Sequence, residues 1–244
     1  MARGSTVQGS GTRRSDAYER ILSAIIFGDL AAGSSADEKR IAKDFDLGLA
    51  VVRDALSRLA LEGMVERHAR IGTRVPELSL RELQEVFETR VIVEGAAAAL
   101  AAERASPDDI AGLRAAFDGV DTAIDQRDYR SVVAMDRLFH RRLAAATKNG
   151  HIERSAILLH NNASRFWFFG LTRLDQSVIR TDIRAHVAVI DAIEKHDAEA
   201  AASAMRGVIG IFPDNMKFFM GGAAAISDVL AITTGRTKKK LERA

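Results

Sequence analysis

The chain has 244 residues, 47% of them hydrophobic, 28% charged and 6% aromatic, with three prolines and no cysteine; this excludes a disulfide framework, a thiolate metal site, a cysteine nucleophile and a disordered chain. A pI near 9.0 comes from the ends: residues 1–14 hold three arginines and no acid, and residues 235–244 hold five bases and one acid. Removing those eight bases and one acid from totals of 35 and 33 leaves 27 bases against 32 acids in between, so any DNA binding must be argued from local placement of charge.

Residues 1–14 read as a disordered basic tail. Tyr18, Ile21, Leu22, Ile25 and Ile26 then recur at helical spacing until Gly28 ends the pattern. After a loop, Asp37 occupies an N-cap position with Glu38 in the first turn, opening a helix to about Phe45. A short helix over about 49–62 places Val52, Ala55, Leu56 and Leu59 on one side, and Gly63 stops it. Met64–His68 and Thr73–Val75 read as short strands joined by a tight turn. Three helices and a small β-hairpin, within residues 15–77, predict a winged helix-turn-helix.

Beyond Pro76 the pattern is helical throughout. Ser79 and Glu82 form a capping-box signature for a long helix to about Arg104, and Ser106-Pro107-Asp108-Asp109 starts the next. Helices follow at about 108–126, 128–147, 151–172, 176–195 and 198–220. The fold class is therefore mainly α: a winged helix-turn-helix followed by an all-α six-helix bundle over 78–221, large enough to enclose a small-molecule cavity. Residues 222–244 read as a C-terminal basic tail. There is no run of about 18 apolar residues and no signal peptide in 1–14, so the expectation is a cytoplasmic chain without a membrane partner.

Within the bundle, Asp136 and His140 lie one helical turn apart on a face shared with Val132, Val133 and Leu143, and His186 sits among Ile183, Ile190 and Ile193. A buried carboxylate and two buried imidazoles are costly to leave unpaired. Either they hydrogen-bond one another, or they hold a divalent metal such as zinc, nickel, manganese or iron. Arg90 and Glu94 have the spacing of an i,i+4 ion pair. Arg165 lies within an aromatic run, Phe166–Phe169, that reads more readily as packing than as a ligand cage. His68, His151 and His160 read as surface or turn residues, with His160 a minor pocket candidate, and His196 falls at a helix end.

The segments Asp37–Ala42, Val52–Leu59 and Glu62–Arg67 resemble the GntR-type bacterial transcription regulators. Arg90–Glu94, Asp136–His140, and His186 followed by Ile190–Ile193 resemble the ligand-sensing FCD domain of that family. The resemblance implies a ligand-responsive DNA-binding repressor: a homodimer on double-stranded operator DNA whose grip a small metabolite, often a carboxylate, changes. On the helix at 49–62, Leu49, Ala50, Arg53 and Ser57 share an arc opposite the core, which places Arg53 where an arginine reaches guanine O6 and N7. Lys39, Arg70 and Arg74 are placed for phosphate. Leu49 and Ile71 stand where relatives commonly carry basic residues, which implies a weaker grip or an atypical operator. Arg90 and Arg165 become candidates, with Asp136, His140 and His186, for holding the effector. Metal-binding relatives use one aspartate and three histidines, and the fourth position here is Val208. A helical metalloenzyme built on Asp136, His140 and His186, or a sensor that has lost DNA recognition, are the competing readings. No phosphate-binding glycine loop or nucleophile elbow supports an enzyme.

Overall fold

The computed structural model describes residues 7–216, in two compact units divided between Leu78 and Ser79. The tail proposed at 222–244 lies outside the described residues, as do residues 1–6.

In the first unit, α1 (Val7–Ile26) buries Ala17, Tyr18, Ile21, Leu22, Ile25 and Ile26. It begins ahead of the apolar pattern, so residues 7–14 are helical rather than part of a disordered tail. Extending a formed helix costs little per residue, and Arg14 lies 3.4 Å from Asp54. Asp37 caps α2 (Glu38–Asp44) by accepting a hydrogen bond from the Arg40 amide at 2.7 Å. A four-residue turn leads to α3 (Leu49–Leu61), whose Val52, Ala55, Leu56 and Leu59 enter the core. Strands β1 (Glu66–His68) and β2 (Gly72–Arg74) pair antiparallel, Arg67 opposite Thr73. Residues 33–36, expected as plain loop, add a third extended segment: Ala36 donates to Thr73 and Val75 to Ser34. Met64, Val65 and Val75 close the core beneath this wing.

The second unit opens with α4 (Leu80–Arg104), capped by the Ser79 side chain. Only half of the expected capping box forms, because the Glu82 carboxylate pairs with Arg165 at 3.4 Å instead. Then come α5 (Pro107–Arg114), a 3-10 turn at Ala115–Phe117, α6 (Val120–Asp125), α7 (Tyr129–Ala146), α8 (Gly150–Leu171), α9 (Gln176–Glu194) and α10 (Ala198–Met216). The single helix expected at 108–126 is thus broken, and the six-helix count becomes seven among the described residues. Asp118 is extended and Gly119 is left-handed at φ 83°, a conformation that costs an L-residue about 1–2 kcal/mol. An added Cβ at Gly119 would meet nothing within 4 Å. Gly119→Ala is therefore expected to lose about 1 kcal/mol from backbone strain alone, read from the urea midpoint.

Helix α4 packs against α7, α8, α9 and α10. Buried Ala97, Ala98, Ala101 and Ala102 let the neighbouring backbones approach closely, and Gly95 sits against the Arg206 side chain. No helix among the described residues is long and apolar enough to cross a membrane.

Candidate functional site

The first unit turns one basic surface outward. Arg53 on α3 is exposed, and its Nε donates to Glu38 Oε2 of α2 at 2.6 Å. The Ser57 hydroxyl donates to the Arg53 carbonyl and accepts from Arg67 Nη2 at 2.8 Å. Arg67 was not among the candidates; the strand places it beside α3, which only the β1–β2 register reveals. Lys39 is exposed at the start of α2, and Arg70 at φ 66° tips the wing next to exposed Ile71. Arg74 differs from expectation in part: its Nη2 donates to the Gly33 carbonyl at 2.5 Å, because the third extended segment runs beside β2.

The second unit has a partly open cavity walled by α4, α7, α8, α9 and α10. Helix α7 contributes Asp136 and His140, α9 contributes Asp182 and His186, α4 Arg90, and α8 His160, Ser164 and Trp167. Val208 of α10 lines the same cavity. Arg165 does not: it is directed to Glu82 in the first turn of α4. His160 was underrated as a surface or turn residue, for it is buried and its ring stacks on His140 with centroids 4.1 Å apart.

Hydrogen-bond partners fix the protons on the imidazoles. His186 Nδ1 lies 3.1 Å from the carbonyl oxygens of both Asp182 and Ile183. Carbonyls only accept, so Nδ1 carries the hydrogen and Nε2 keeps its lone pair. His140 Nδ1 lies against Glu94 Oε2, outside hydrogen-bond alignment, and this carboxylate likewise favours the hydrogen on Nδ1. His160 is the reverse. Arg90 Nη2 lies 3.1 Å from its Nδ1; a guanidinium only donates, so the His160 hydrogen sits on Nε2, 3.2 Å from Asp136 Oδ2 but outside hydrogen-bond alignment. Burial foremost holds His186 down at about 4, with Asp136 opposing and His140 adding. Burial, then His140 and Arg90, holds His160 well below its ordinary value. Both are neutral at pH 7.

Two imidazole nitrogens and one carboxylate oxygen face one another. His186 Nε2 is 3.5 Å from His140 Nε2 and 3.5 Å from Asp136 Oδ1, and His140 Nε2 is 3.7 Å from that same oxygen. Each of these atoms is of a type that gives a lone pair to a divalent cation. The spacing is close to the edge of about 3.4 Å in a tetrahedral zinc site with bonds of about 2.1 Å. The donor set thus fits a divalent metal. A second grouping, Glu94, His140 and His160, fits less well, because Arg90 already occupies the His160 lone pair and would repel a cation. Phe139 and Phe117 hold the His186 ring, with centroids at 4.8 and 5.0 Å. The break at Gly119 is what ends the turn carrying Phe117.

Arg90 and Glu94 do form the i,i+4 pair, with Nε to Oε1 at 2.5 Å and both side chains buried. Burial alone would raise the Glu94 carboxyl, but Arg90 and His140 more than offset it and hold it well below the usual carboxylate range. Asp182 was not anticipated. Burial and the nearby Asp136 charge push it up to about 7 against the opposing Trp167 N–H bond.

The family model for the FCD domain matches residues 85–210, and that for bacterial regulatory proteins of the gntR family matches residues 13–75. The chain belongs to the GntR family of transcriptional regulators, with an FCD domain. A probable D-xylose utilization operon transcriptional repressor of Paenarthrobacter nicotinovorans is 29% identical over 80% of this chain and 84% of its own. The transcriptional repressor GlaR of Escherichia coli K12 is 25% identical over 78% and 90%. Among solved structures, E. coli McbR/YncC superposes with a TM-score of 0.72 at 20% identity over 81% of this chain and 93% of that one. The transcriptional regulator GntR from Rhodococcus sp. RHA1 gives 0.66 at 20% identity over 87% and 99%. The winged unit of this GntR regulator is therefore its DNA-binding module, and the metalloenzyme alternative is set aside because its family and relatives are regulators.

Proposed function

We propose that this GntR regulator is a homodimeric repressor whose hold on operator DNA is switched by a small acid bound in the α4–α10 cavity beside a divalent metal. Asp136, His140 and His186 would hold the ion. When bound, it supplies a Lewis-acidic positive charge that neutralises an effector carboxylate. The observation carrying this reading is the trio of mutually facing imidazole nitrogens and carboxylate oxygen in a cavity that Arg90 also lines.

Side chains around the trio act on its geometry. Glu94 lies against His140 Nδ1, the backbone carbonyls of Asp182 and Ile183 orient His186, and His160 Nε2 lies 3.2 Å from the second oxygen of Asp136. Such outer partners raise ligand basicity and fix ring direction. Arg90, paired with Glu94 and His160, adds a fixed positive charge at the cavity wall that favours an anionic ligand. Arg53 reads base edges from α3, with Ser57 alongside, while Lys39, Arg70 and Arg74 meet phosphates. Effector binding shifts the population of dimer states that match two half-sites. Two relatives named as repressors support that direction of control.

Metal analysis of the purified full chain tests the cavity reading, with one zinc, nickel, manganese or iron ion per chain expected. Val208→His supplies the side chain type missing from the trio, and is expected to raise zinc affinity at least about tenfold over wild type in competition with a chromogenic chelator. An unchanged affinity would mean that Val208 does not face the ion.

A further inference from the structure

The α8–α9 wall of the cavity presents acceptors at Asp182 and Ser164. Asp182 is buried at 9% exposure, and its one hydrogen bond among the described residues comes from Trp167 Nε1 to Oδ2 at 3.2 Å. No cationic side chain among the described residues lies within ion-pair distance of it, whereas Glu94 has Arg90. In the same lining, the Ser164 hydroxyl has its hydrogen committed to the His160 carbonyl at 2.8 Å, which leaves its oxygen as an acceptor. The Trp167 N–H is already given to Asp182.

A carboxylate buried without a cationic partner is costly. A proton taken up by the group removes that cost at the expense of the charge, whereas a ligand that brings a cationic donor removes it with the charge kept. The proposed metal and Arg90 in the same lining suit an anion, yet the Arg90 charge is already matched by Glu94. A plain monocarboxylate would therefore sit in a chamber holding two further carboxylates, Asp136 and Asp182, without meeting the acceptor wall.

We propose that the effector is an amino acid in the broad sense, a small acid whose carboxylate lies toward the metal trio and Arg90 and whose ammonium group is held by Asp182 and Ser164. This rests on the reading of the cavity as a metal-assisted effector site, and it names the ligand class that site takes. Asp182 is then the specificity residue. The same aspartate-x-x-x-histidine spacing occurs on α7 and α9, with Asp136 serving the metal and Asp182 serving the ligand.

The test is isothermal titration of the zinc-loaded full chain, dialysed free of excess ion, with two matched pairs: propionate against β-alanine, and butyrate against 4-aminobutyrate. At least one amino acid should bind about tenfold or more tighter than its parent acid, the scale of one charge-assisted hydrogen bond. In Asp182→Asn, which keeps an acceptor for Trp167, the ratio should fall to within about threefold. Equal binding within both pairs, or a preference for the parent acids, would overturn the ammonium site while leaving the metal-assisted carboxylate site standing. A preference that survives in Asp182→Asn would overturn the assignment to Asp182. If none of the four acids binds, the reading of the cavity as an effector site fails, and this inference with it.

Discussion

Glu94→Ala is expected to destabilise the helical unit by about 3–5 kcal/mol, because it strands the Arg90 guanidinium in the interior without its carboxylate. The magnitude follows from burial: the two side chains are 7% and 2% exposed, so water cannot replace the lost partner. It exceeds the loss expected at Gly119 severalfold, and it removes the carboxylate beside His140 as well. Glu94→Gln should fall between, since an amide oxygen still accepts from Arg90 but carries no charge. The pH dependence identifies the cause. The folded-state pKa of Glu94 is depressed below its ordinary value of 4.5, so its stabilisation is complete above that pH and is lost as pH falls below it. The gap between wild type and Glu94→Ala in urea unfolding should narrow by about 1.4 kcal/mol per pH unit below 4.5. A gap that stays constant from pH 7 to 3 would show that packing, not the ion pair, is what the substitution removes.

Arg53→Ala is expected to lower affinity for specific DNA about 5- to 150-fold, the range for one bidentate contact to a guanine edge, while leaving non-specific binding nearly unchanged. The Glu38 pair does not prevent this contact. Both partners are partly exposed, at 59% and 30%, and a surface pair of this kind is worth at most about 1 kcal/mol, less than the base contact it would yield to. Lys39→Ala should instead weaken specific and non-specific binding together and flatten the salt dependence by about one unit of slope. The fragment upstream of the protein's own coding sequence is the DNA to use in a mobility shift. Equal retardation of wild type and Arg53→Ala would favour a sensor that no longer reads sequence, the consequence first suggested by Leu49 and Ile71.

Much of this architecture was legible because it is periodic. The apolar spacing of Tyr18–Ile26 and Val52–Leu59, the Asp37 cap, and the inward face shared by Asp136, His140 and Leu143 depend on residues a few positions apart. What the pattern hid depends on partners far away in the chain. The pattern over 108–126 reads as one helix because isolated glycines such as Gly112 and Gly119 are tolerable within a helical pattern, and nothing local says that Gly119 turns left-handed. Arg165 drew notice from its aromatic neighbours, yet its partner is Glu82, 83 residues earlier. His160 and Asp182 carried a local signal that was missed. His160, Ser164 and Trp167 share a face at i, i+4 and i+7, and Asp182 stands to His186 as Asp136 does to His140. The proton positions were beyond sequence altogether, since they follow from which group, carbonyl or guanidinium, meets each imidazole.

The measurement that bears most directly on control of DNA binding from the helical cavity is fluorescence anisotropy on that upstream fragment, comparing zinc-loaded protein, chelator-stripped protein and zinc-loaded protein with 4-aminobutyrate. The affinities should differ by about 5- to 150-fold between at least two of these states, the usual range of allosteric coupling, and the differences should vanish in His186→Ala. Identical affinities in all three states, with the metal shown by analysis to be bound and removed as intended, would contradict the account.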